Sequence, residues 1–260
     1  MLKMQVNEPY PGTQAVMRAI ALLKAFTDEQ PQLGLAELAK IVGLNKTTTY
    51  RLLTALENQG LIARNPANDT YRLGPEVIAL GGRALRASDL RAVSRGELEG
   101  LARATGETAT LEALLGSDVL VLDEVSGAYL VGATHYIGAR WPAHATSTGK
   151  VLLAFLPEAE LAARLQQPLA QMTPQTITAP EAFSQALAQV REQDYAIAIE
   201  ELEIGFSAIA APVRNHDGQM IAALSLNGPS ARLTSQRLAE LVAPVTAAAE
   251  RISAQLGYRT

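Results

Sequence analysis

Hydroxyl side chains and a lysine lie together in the segment HATSTGK, which runs from His144 to Lys150 and precedes the apolar residues VLLAFL. Ser147 and Lys150 have the S-x-x-K spacing of some serine hydrolases, but no K-T-G motif follows the S-x-N at residues 225–227. The ending GK is typical of a phosphate-binding loop, yet His144 stands where that loop needs glycine, and Val151 where it needs serine or threonine. The sequence therefore predicts no catalytic residue, and we do not expect an enzyme.

The same segment is suited to holding an anion. Thr146, Ser147 and Thr148 come directly before a predicted helix. The first N–H groups of a helix have no partner within it, and together with the helix dipole they attract negative charge. A turn rich in serine and threonine is also an ordinary helix cap. From the residues alone, both interpretations of Ser147 and Thr148 stay open.

A second hydroxyl-rich segment, NKTTTYR at residues 45–51, opens another predicted helix. Three β-branched residues are a costly start, because they lose rotamer freedom against the preceding turn. The apolar spacing turns Leu53, Leu56 and Thr49 toward a core, which leaves outward Lys46, Thr47, Thr48, Tyr50 and Arg51. Such side chains can contact phosphates and base edges, so this helix is predicted to bind DNA. The alternative is that the threonines only cap and solvate a surface helix.

The elements around this segment are typical of a winged helix. Helices are predicted at residues 16–26, 35–42 and 45–59. The first is expected to bury one face, which contains Val16, Ala19, Ile20, Leu23 and Phe26. Gly43 separates the second and third helices, as in a helix-turn-helix.

The wing is predicted from the segments LIAR and TYRLG, which the turn NPAND joins into a β-hairpin. It places Arg64 and Arg72 near a DNA backbone. The chain is predicted to divide into an N-terminal tail, a winged helix-turn-helix domain, a linker helix and a C-terminal domain, at residues 1–13, 14–75, 76–89 and 90–260. The C-terminal domain is expected to be mixed, with strands at 107–114, 118–125, 128–136, 195–200, 206–214 and 219–227 and helices at 90–104, 147–156, 158–166, 181–193 and 234–256.

Composition narrows the class of protein. The 260 residues suit two domains, and the apolar runs are shorter than the roughly 18 residues that would span a membrane. The chain has no cysteine, and its three histidines are far apart, so we expect neither a metal nor a cofactor. Residues 14–73 carry seven basic and five acidic side chains, whereas residues 76–260 carry fourteen and twenty. A basic N-terminal segment followed by an acidic C-terminal segment favours a polyanionic partner for the basic segment. We expect a cytoplasmic protein without membrane contact.

The chain resembles the IclR family of bacterial transcription regulators over essentially its whole length. The resemblance rests on LAELAKIVGLNKTTTYRLLTALENQGLI, then TYRLG, PAHATSTGKVLLAFLP, GFSAIAAPV and AALSLNGP. It implies an α+β protein with a winged helix-turn-helix, a linker helix and a GAF-like α/β effector-binding domain that contains an antiparallel sheet. It also implies a homodimer or a dimer of dimers on a palindromic operator in double-stranded DNA, repressing or activating transcription, and a small organic-acid effector.

The resemblance further implies a set of effector contacts. By similarity these are Leu130, Trp141, Ser147, Thr148, Ala198, Ala208, Ser225 and Asn227, with Leu130 and Trp141 as apolar walls. Many relatives have an acidic residue where this chain has Ala198, and a serine where it has Asn227. The loss of that carboxylate predicts a less polar pocket and an effector larger and more apolar than glyoxylate or pyruvate. Trp141 could equally be plain core, His144 is interpreted as structural, and Glu200 and Glu201 as a solvated or structural strand end.

Overall fold

The computed structural model describes residues 12–86, 89–129, 137–165 and 168–259. It contains two compact units, Met1–Ala87 and Ser88–Thr260. In the described part of the chain, no helix is both long enough and apolar enough to cross a membrane.

The N-terminal unit packs helices on a small sheet. Its elements in chain order are α1 (Gln14–Lys24), β1 (Leu33–Gly34), α2 (Leu35–Ile41), α3 (Lys46–Asn58), β2 (Ile62–Asn65), β3 (Thr70–Leu73) and α4 (Pro75–Arg86). The strands are antiparallel in the order β1-β3-β2. Leu22, Leu38, Leu53 and Tyr71 belong to the core that joins the helices to the wing.

Local signals fix the turn between α2 and α3. Gly43 has a φ of +65°, a conformation that glycine adopts without a Cβ clash. The Asn45 side chain then caps α3 by accepting the N–H of Thr48 at 2.8 Å. These two residues allow α3 to start directly after a tight turn.

The predicted face of α1 is confirmed in part, because Ala19 and Phe26 pack against the core with Leu23. Val16 and Ile20 are 58% and 39% exposed, whereas Leu22 is fully buried. Leu23 packs at the margin of the core. The helix has apolar residues around more than one side, so periodicity alone did not show which stripe packs inward.

The C-terminal unit is a six-stranded antiparallel sheet covered by helices. Its elements are α5 (Asp89–Thr105), β4 (Thr108–Leu115), β5 (Asp118–Val125), β6 (Arg140–Pro142), α6 (Ser147–Ala154), α7 (Glu158–Leu165), α8 (Pro180–Gln193), β7 (Ala196–Ile199), β8 (Phe206–Arg214), β9 (Met220–Pro229) and α9 (Ser235–Gln255). The strand order is β6-β5-β4-β9-β8-β7. Residues 128–129 form a bend where a strand was expected, and residues 130–136 of that predicted strand lie outside the described residues.

The two faces of this sheet pack against different helices. Leu111, Ile209 and Leu224 lie in a core with residues of α5 and α9. Ala210 and Ala223, one position along their strands, lie in a second core with residues of α6 and α8. Because side chains alternate along a strand, the neighbours of Leu111 and Leu224 point toward the α6 side of the sheet.

Candidate DNA-binding surface and effector pocket

The three threonines of α3 differ in their exposure to solvent. Thr47 is exposed, Thr48 is half-buried, and Thr49 is fully buried in the domain. The Thr49 hydroxyl donates to the Asn45 carbonyl at 3.0 Å, so its polar group is satisfied inside the unit. The costly threonine run is therefore partly structural, and only its first two members are available to a partner.

The other predicted DNA contacts on α3 face solvent. Lys46, Tyr50 and Arg51 are all exposed, and Tyr50 shows 47% of its surface. With Thr47 they form a polar surface at the N-terminal end of the helix. In a helix-turn-helix, this is the end that enters the major groove.

The two wing arginines lie on opposite faces of the hairpin. Arg64 is opposite Tyr71 in the register, whereas Arg72 is opposite Ala63. Arg64 lies over the Tyr71 ring, 5.9 Å from its centre, and pairs with Asp69, which raises the pKa of the arginine through hydrogen bonding and attraction. Arg72 is exposed and forms no ion pair with any described residue. The charge of Arg72 is thus more available to a phosphate than that of Arg64.

A pocket that is partly open to solvent lies on the α6 side of the C-terminal sheet. Seven predicted effector contacts line it: Trp141, Ser147 and Thr148, together with Ala198, Ala208, Ser225 and Asn227. The predicted Leu130 lies outside the described residues.

Strand register brings these distant residues together. Ala208 pairs with both Ala198 and Asn227 on the neighbouring strands, and Ser225 pairs with Thr110. Their side chains meet the start of α6, where Thr146 accepts the N–H of Gly149 at 3.0 Å. The pocket is therefore built by one sheet face and one helix N-terminus.

Close packing holds that helix start in place. A Cβ built on Gly149 would lie 1.9 Å from the carbonyl oxygen of Ala143, so the residue at this position has to be glycine. Thr146 uses its hydroxyl as the cap, and no acceptor in the described part of the chain takes the N–H groups of Ser147 and Thr148. Thr146 therefore caps the helix, and the anion-binding interpretation of Ser147 and Thr148 stays a prediction that their two N–H groups allow.

Glu112 is a pocket residue that the sequence reasoning missed. Its side chain is buried, and its two carboxylate oxygens accept hydrogen bonds from Thr110 at 2.7 Å and Thr148 at 2.6 Å. Burial raises the pKa of Glu112 despite these bonds. The alternation of side chains along β4 could have indicated this position, since Thr110 and Glu112 share one strand face and Leu111 lies on the other.

A buried ion pair lies beside the pocket. Lys150 Nζ donates to Glu201 Oε1 and to the carbonyl of Ile197 at 2.9 Å. Burial lowers the pKa of Lys150 and raises that of Glu201, while their mutual attraction opposes both shifts. The lysine of the S-x-x-K motif is thus committed to an ion pair, and Glu201 is neither solvated nor remote from the pocket that it lines.

Two carboxylates belong to the lining of the pocket. Ala198 does remove one acidic side chain, but Glu112 and Glu201 both line the cavity. The remaining lining residues that were not predicted are Ala145, Thr146, Leu202 and Phe206. Most of the lining surface is apolar, and the less polar pocket expected from Ala198 stays a prediction.

The structure shows the surroundings of Trp141 and His144. Trp141 is half-buried, lines the pocket and also packs at the margin of the α6–α8 core. His144 Nε2 lies 2.8 Å from the carbonyl oxygen of Ala170, in agreement with its interpretation as a structural histidine. In the described ranges, no group of three acidic or histidine side chains is placed to hold a metal ion.

Comparison with known proteins identifies both units. The model of the IclR helix-turn-helix domain matches residues 15–66, and that of the bacterial transcriptional regulator IclR C-terminal domain matches residues 82–254. The chain belongs to the IclR family. The predicted family and the α+β fold class are thereby confirmed.

Relatives of known structure and sequence span nearly the whole chain. The HTH-type transcriptional regulator XynR of Escherichia coli is 39% identical over 95% of this chain and 99% of its own. An IclR transcriptional regulator from Alicyclobacillus acidocaldarius has a TM-score of 0.84 at 30% identity, covering 94% and 98% of the two chains. An IclR homologue from Microbacterium hydrocarbonoxydans, complexed with 4-hydroxybenzoate, has a TM-score of 0.80 at 27% identity, covering 93% and 98%.

Family membership assigns the general activity. This IclR-type protein is a DNA-binding transcriptional regulator with a C-terminal effector domain, and it is not an enzyme. The helix-turn-helix match includes all of α3, so the exposed polar surface of that helix lies in the DNA-binding domain.

Proposed function

We propose that this IclR-family regulator binds a palindromic operator as a homodimer or a dimer of dimers, and that a small carboxylate in the pocket changes its affinity for DNA. The observation that carries the DNA contact is the exposed polar surface of α3, formed by Lys46, Thr47, Tyr50 and Arg51. Thr48 lies at its edge, and the wing adds Arg72 and, with its charge shared with Asp69, Arg64. The protein acts in the cytoplasm.

The two available N–H groups at the start of α6 support the carboxylate part of the proposal. An anion there would accept hydrogen bonds from Ser147 and Thr148 and would lie at the positive end of the helix dipole. Trp141, Ala198, Ala208, Ser225 and Asn227 would surround the rest of the effector. The Microbacterium homologue complexed with 4-hydroxybenzoate, which is itself a carboxylate, favours this chemistry.

Regulation requires that the effector bind two arrangements of the protein with different affinity. Such coupling is typically about 1–3 kcal/mol, which changes DNA affinity roughly 5- to 150-fold. Helix α4 follows the wing directly and ends at Arg86, so it is the connection through which a change in one unit would reach the other.

The DNA contact is tested with Arg51→Ala and a matched loss of charge, Arg237→Ala. Both arginines are exposed, but Arg237 lies on α9 in the effector unit. Affinity is measured by fluorescence anisotropy over a salt series, with a duplex that the wild-type protein selects from a random pool. Arg51→Ala should weaken binding and reduce the salt slope by about one per protomer, since one phosphate contact is lost.

Arg237→Ala should leave DNA binding unchanged, and both variants should retain effector affinity. Equal DNA affinities for Arg51→Ala and the wild type would refute the assigned surface. The selected duplex should carry a twofold-symmetric sequence, and sedimentation should give the mass of two or four chains. A monomer bound to an asymmetric site would overturn the assembly part of the proposal.

A further inference from the structure

The pocket contains buried acceptors that no group in the described part of the chain satisfies. Asn227 Oδ1 and Glu201 Oε2 have almost no accessible surface and no hydrogen-bond partner. Both residues line the cavity, and their side chains are more than nine-tenths buried. Buried polar atoms are nearly always paired, so two unpaired acceptors in one pocket point to a donor that the ligand brings.

The orientation of Asn227 follows from its neighbours. Thr110 has a single hydroxyl hydrogen, and it donates this hydrogen to Glu112 at 2.7 Å. Thr110 Oγ1 also accepts from Asn227 Nδ2 at 3.3 Å. With its amide nitrogen toward Thr110, Asn227 keeps Oδ1 as the free acceptor.

The two carboxylate oxygens of Glu201 also differ in their partners. Its Oε1 accepts from the ammonium group of Lys150, and its Oε2 has no hydrogen bond of ordinary geometry, while the backbone of Ile199 acts on the carboxylate only enough to lower its pKa. The lysine already neutralises the charge of this carboxylate. Oε2 therefore needs an uncharged hydrogen-bond donor, because no negative charge is left there to balance a second cation.

Ser147 and Thr148 offer donors at another part of the same cavity. Their N–H groups at the start of α6 are not taken by an acceptor in the described residues, whereas Glu201 and Asn227 offer acceptors. A ligand that satisfies both kinds of group needs a carboxylate and, separately, hydrogen-bond donors.

Those donors are better supplied by hydroxyl groups than by an ammonium group. A buried ammonium needs an unpaired carboxylate. Glu201 is already paired with Lys150, and the amide oxygen of Asn227 carries no charge, so neither free acceptor is an unpaired carboxylate. A hydroxyl group carries no charge and still donates to a free oxygen.

Resting on the proposed effector role of this pocket, we propose that the effector is a hydroxylated carboxylic acid, with hydroxyl groups that donate to Asn227 Oδ1 and Glu201 Oε2. This replaces the more apolar effector that the sequence suggested. The carboxylate binds the start of α6, and the hydroxyl groups satisfy the acceptors. Asn227 and Glu201 are then the residues that select hydroxylated acids over alkanoic acids.

The inference is tested by calorimetry on the full-length protein. The probes are aldonic acids of four to six carbons, unsubstituted n-alkanoic acids of the same lengths, and the matching 2-amino acids. The best aldonic acid should bind at least about tenfold more tightly than its alkanoic counterpart, because a site that hydrogen-bonds a hydroxyl rejects the analogue that lacks it.

A variant links this preference to Asn227. In Asn227→Leu, the acceptor is replaced by an apolar group of similar size, so the ratio of aldonic to alkanoic affinity should fall by about tenfold or more. The ratio is compared within each variant, and thermal unfolding shows whether the variant is folded. A general loss of structure lowers both affinities and leaves the ratio unchanged.

The outcomes separate this inference from the proposed function. Alkanoic or amino acids that bind as tightly as hydroxylated ones, or an unchanged ratio in folded Asn227→Leu, would overturn the hydroxyl assignment while leaving a carboxylate effector in place. No binding by any acid of the three sets would overturn both.

Discussion

Replacing Lys150 with Met should strongly destabilise the C-terminal unit. Lys150 and Glu201 are 4% and 7% exposed, and their ion pair is supplemented by the bond from Lys150 to the Ile197 carbonyl. Methionine keeps most of the length of the side chain but removes the charge, which leaves a buried carboxylate without its cation. Removing one partner of a buried pair costs about 3–5 kcal/mol, which lowers the Tm of a domain of this size by roughly 6–20 °C.

The direction of the pKa of Glu201 adds a second signature. Burial already raises this pKa in the native protein, and loss of the ammonium removes the attraction that opposes the rise. A carboxyl group with a raised folded-state pKa contributes stability at low pH that is lost as the pH rises through that pKa. The cost of Lys150→Met should therefore be smaller at pH 5 than at pH 8.

Trp141 provides the readout, because it is the only tryptophan of the chain and lies in the C-terminal unit. Urea unfolding followed by its fluorescence gives the free energy of unfolding for each variant. The control is Arg237→Met, which breaks the exposed pair that Arg237 forms with Glu240 at 2.9 Å and should cost less than about 1 kcal/mol. The double variant K150M/E201L should recover much of the loss, since it leaves no buried charge unpaired.

A loss below about 1 kcal/mol for Lys150→Met at pH 8, or a loss equal to that of the exposed control, would refute the reasoning. It would mean that water reaches Glu201 in the folded protein. The free acceptor at Glu201 Oε2 would then have water as its partner, which would also weaken the argument for a hydroxylated effector.

Two further substitutions test the pocket carboxylate and the threonine run. Because burial raises the pKa of Glu112, the wild type should lose stability relative to Glu112→Gln as the pH rises from 5 to 8. Urea unfolding of both proteins at the two pH values measures this difference in stability. A difference that stays constant with pH would contradict the prediction. Thr49→Ala should cost about 1–2 kcal/mol of stability, measured by circular dichroism, because it removes the hydrogen bond from the buried hydroxyl to Asn45. Thr47 is exposed, so Thr47→Ala should cost less than about 0.5 kcal/mol but should weaken DNA binding measured by anisotropy. The reverse pattern would contradict the burial of Thr49 and the exposure of Thr47.

The winged helix could be predicted from the sequence because its signals are local. Gly43 marks the turn, Asn45 marks the start of α3, and the apolar spacing marks the buried Leu53. The buried face of α1 could be predicted only in part, since Ala19, Leu23 and Phe26 do pack against the core. Val16 is exposed although it fits an apolar stripe, because which stripe is buried depends on the other elements of the unit.

The pocket could be predicted only in part. Similarity named Ser225 and Asn227, and strand register then places them beside residues far away in the sequence. Glu112, Lys150 and Glu201 were missed as a group because charged residues are usually solvated, so their burial was not expected. Lys150 and Glu201 are 51 residues apart, and a partner at that separation leaves no periodic signal.

An acid effector meets two carboxylates in this pocket, but the surroundings of each carboxylate reduce the repulsion. Lys150 neutralises Glu201 at contact distance. Glu112 has no such cation, and burial raises its pKa, so its neutral form is favoured more than that of an exposed glutamate. An anion bound at the start of α6 would raise this pKa further, since a neighbouring negative charge also favours protonation. The dipole of α6 would then attract the anion, while the charged form of Glu112 in the same pocket is already disfavoured by burial. An acid is therefore a suitable ligand for this pocket.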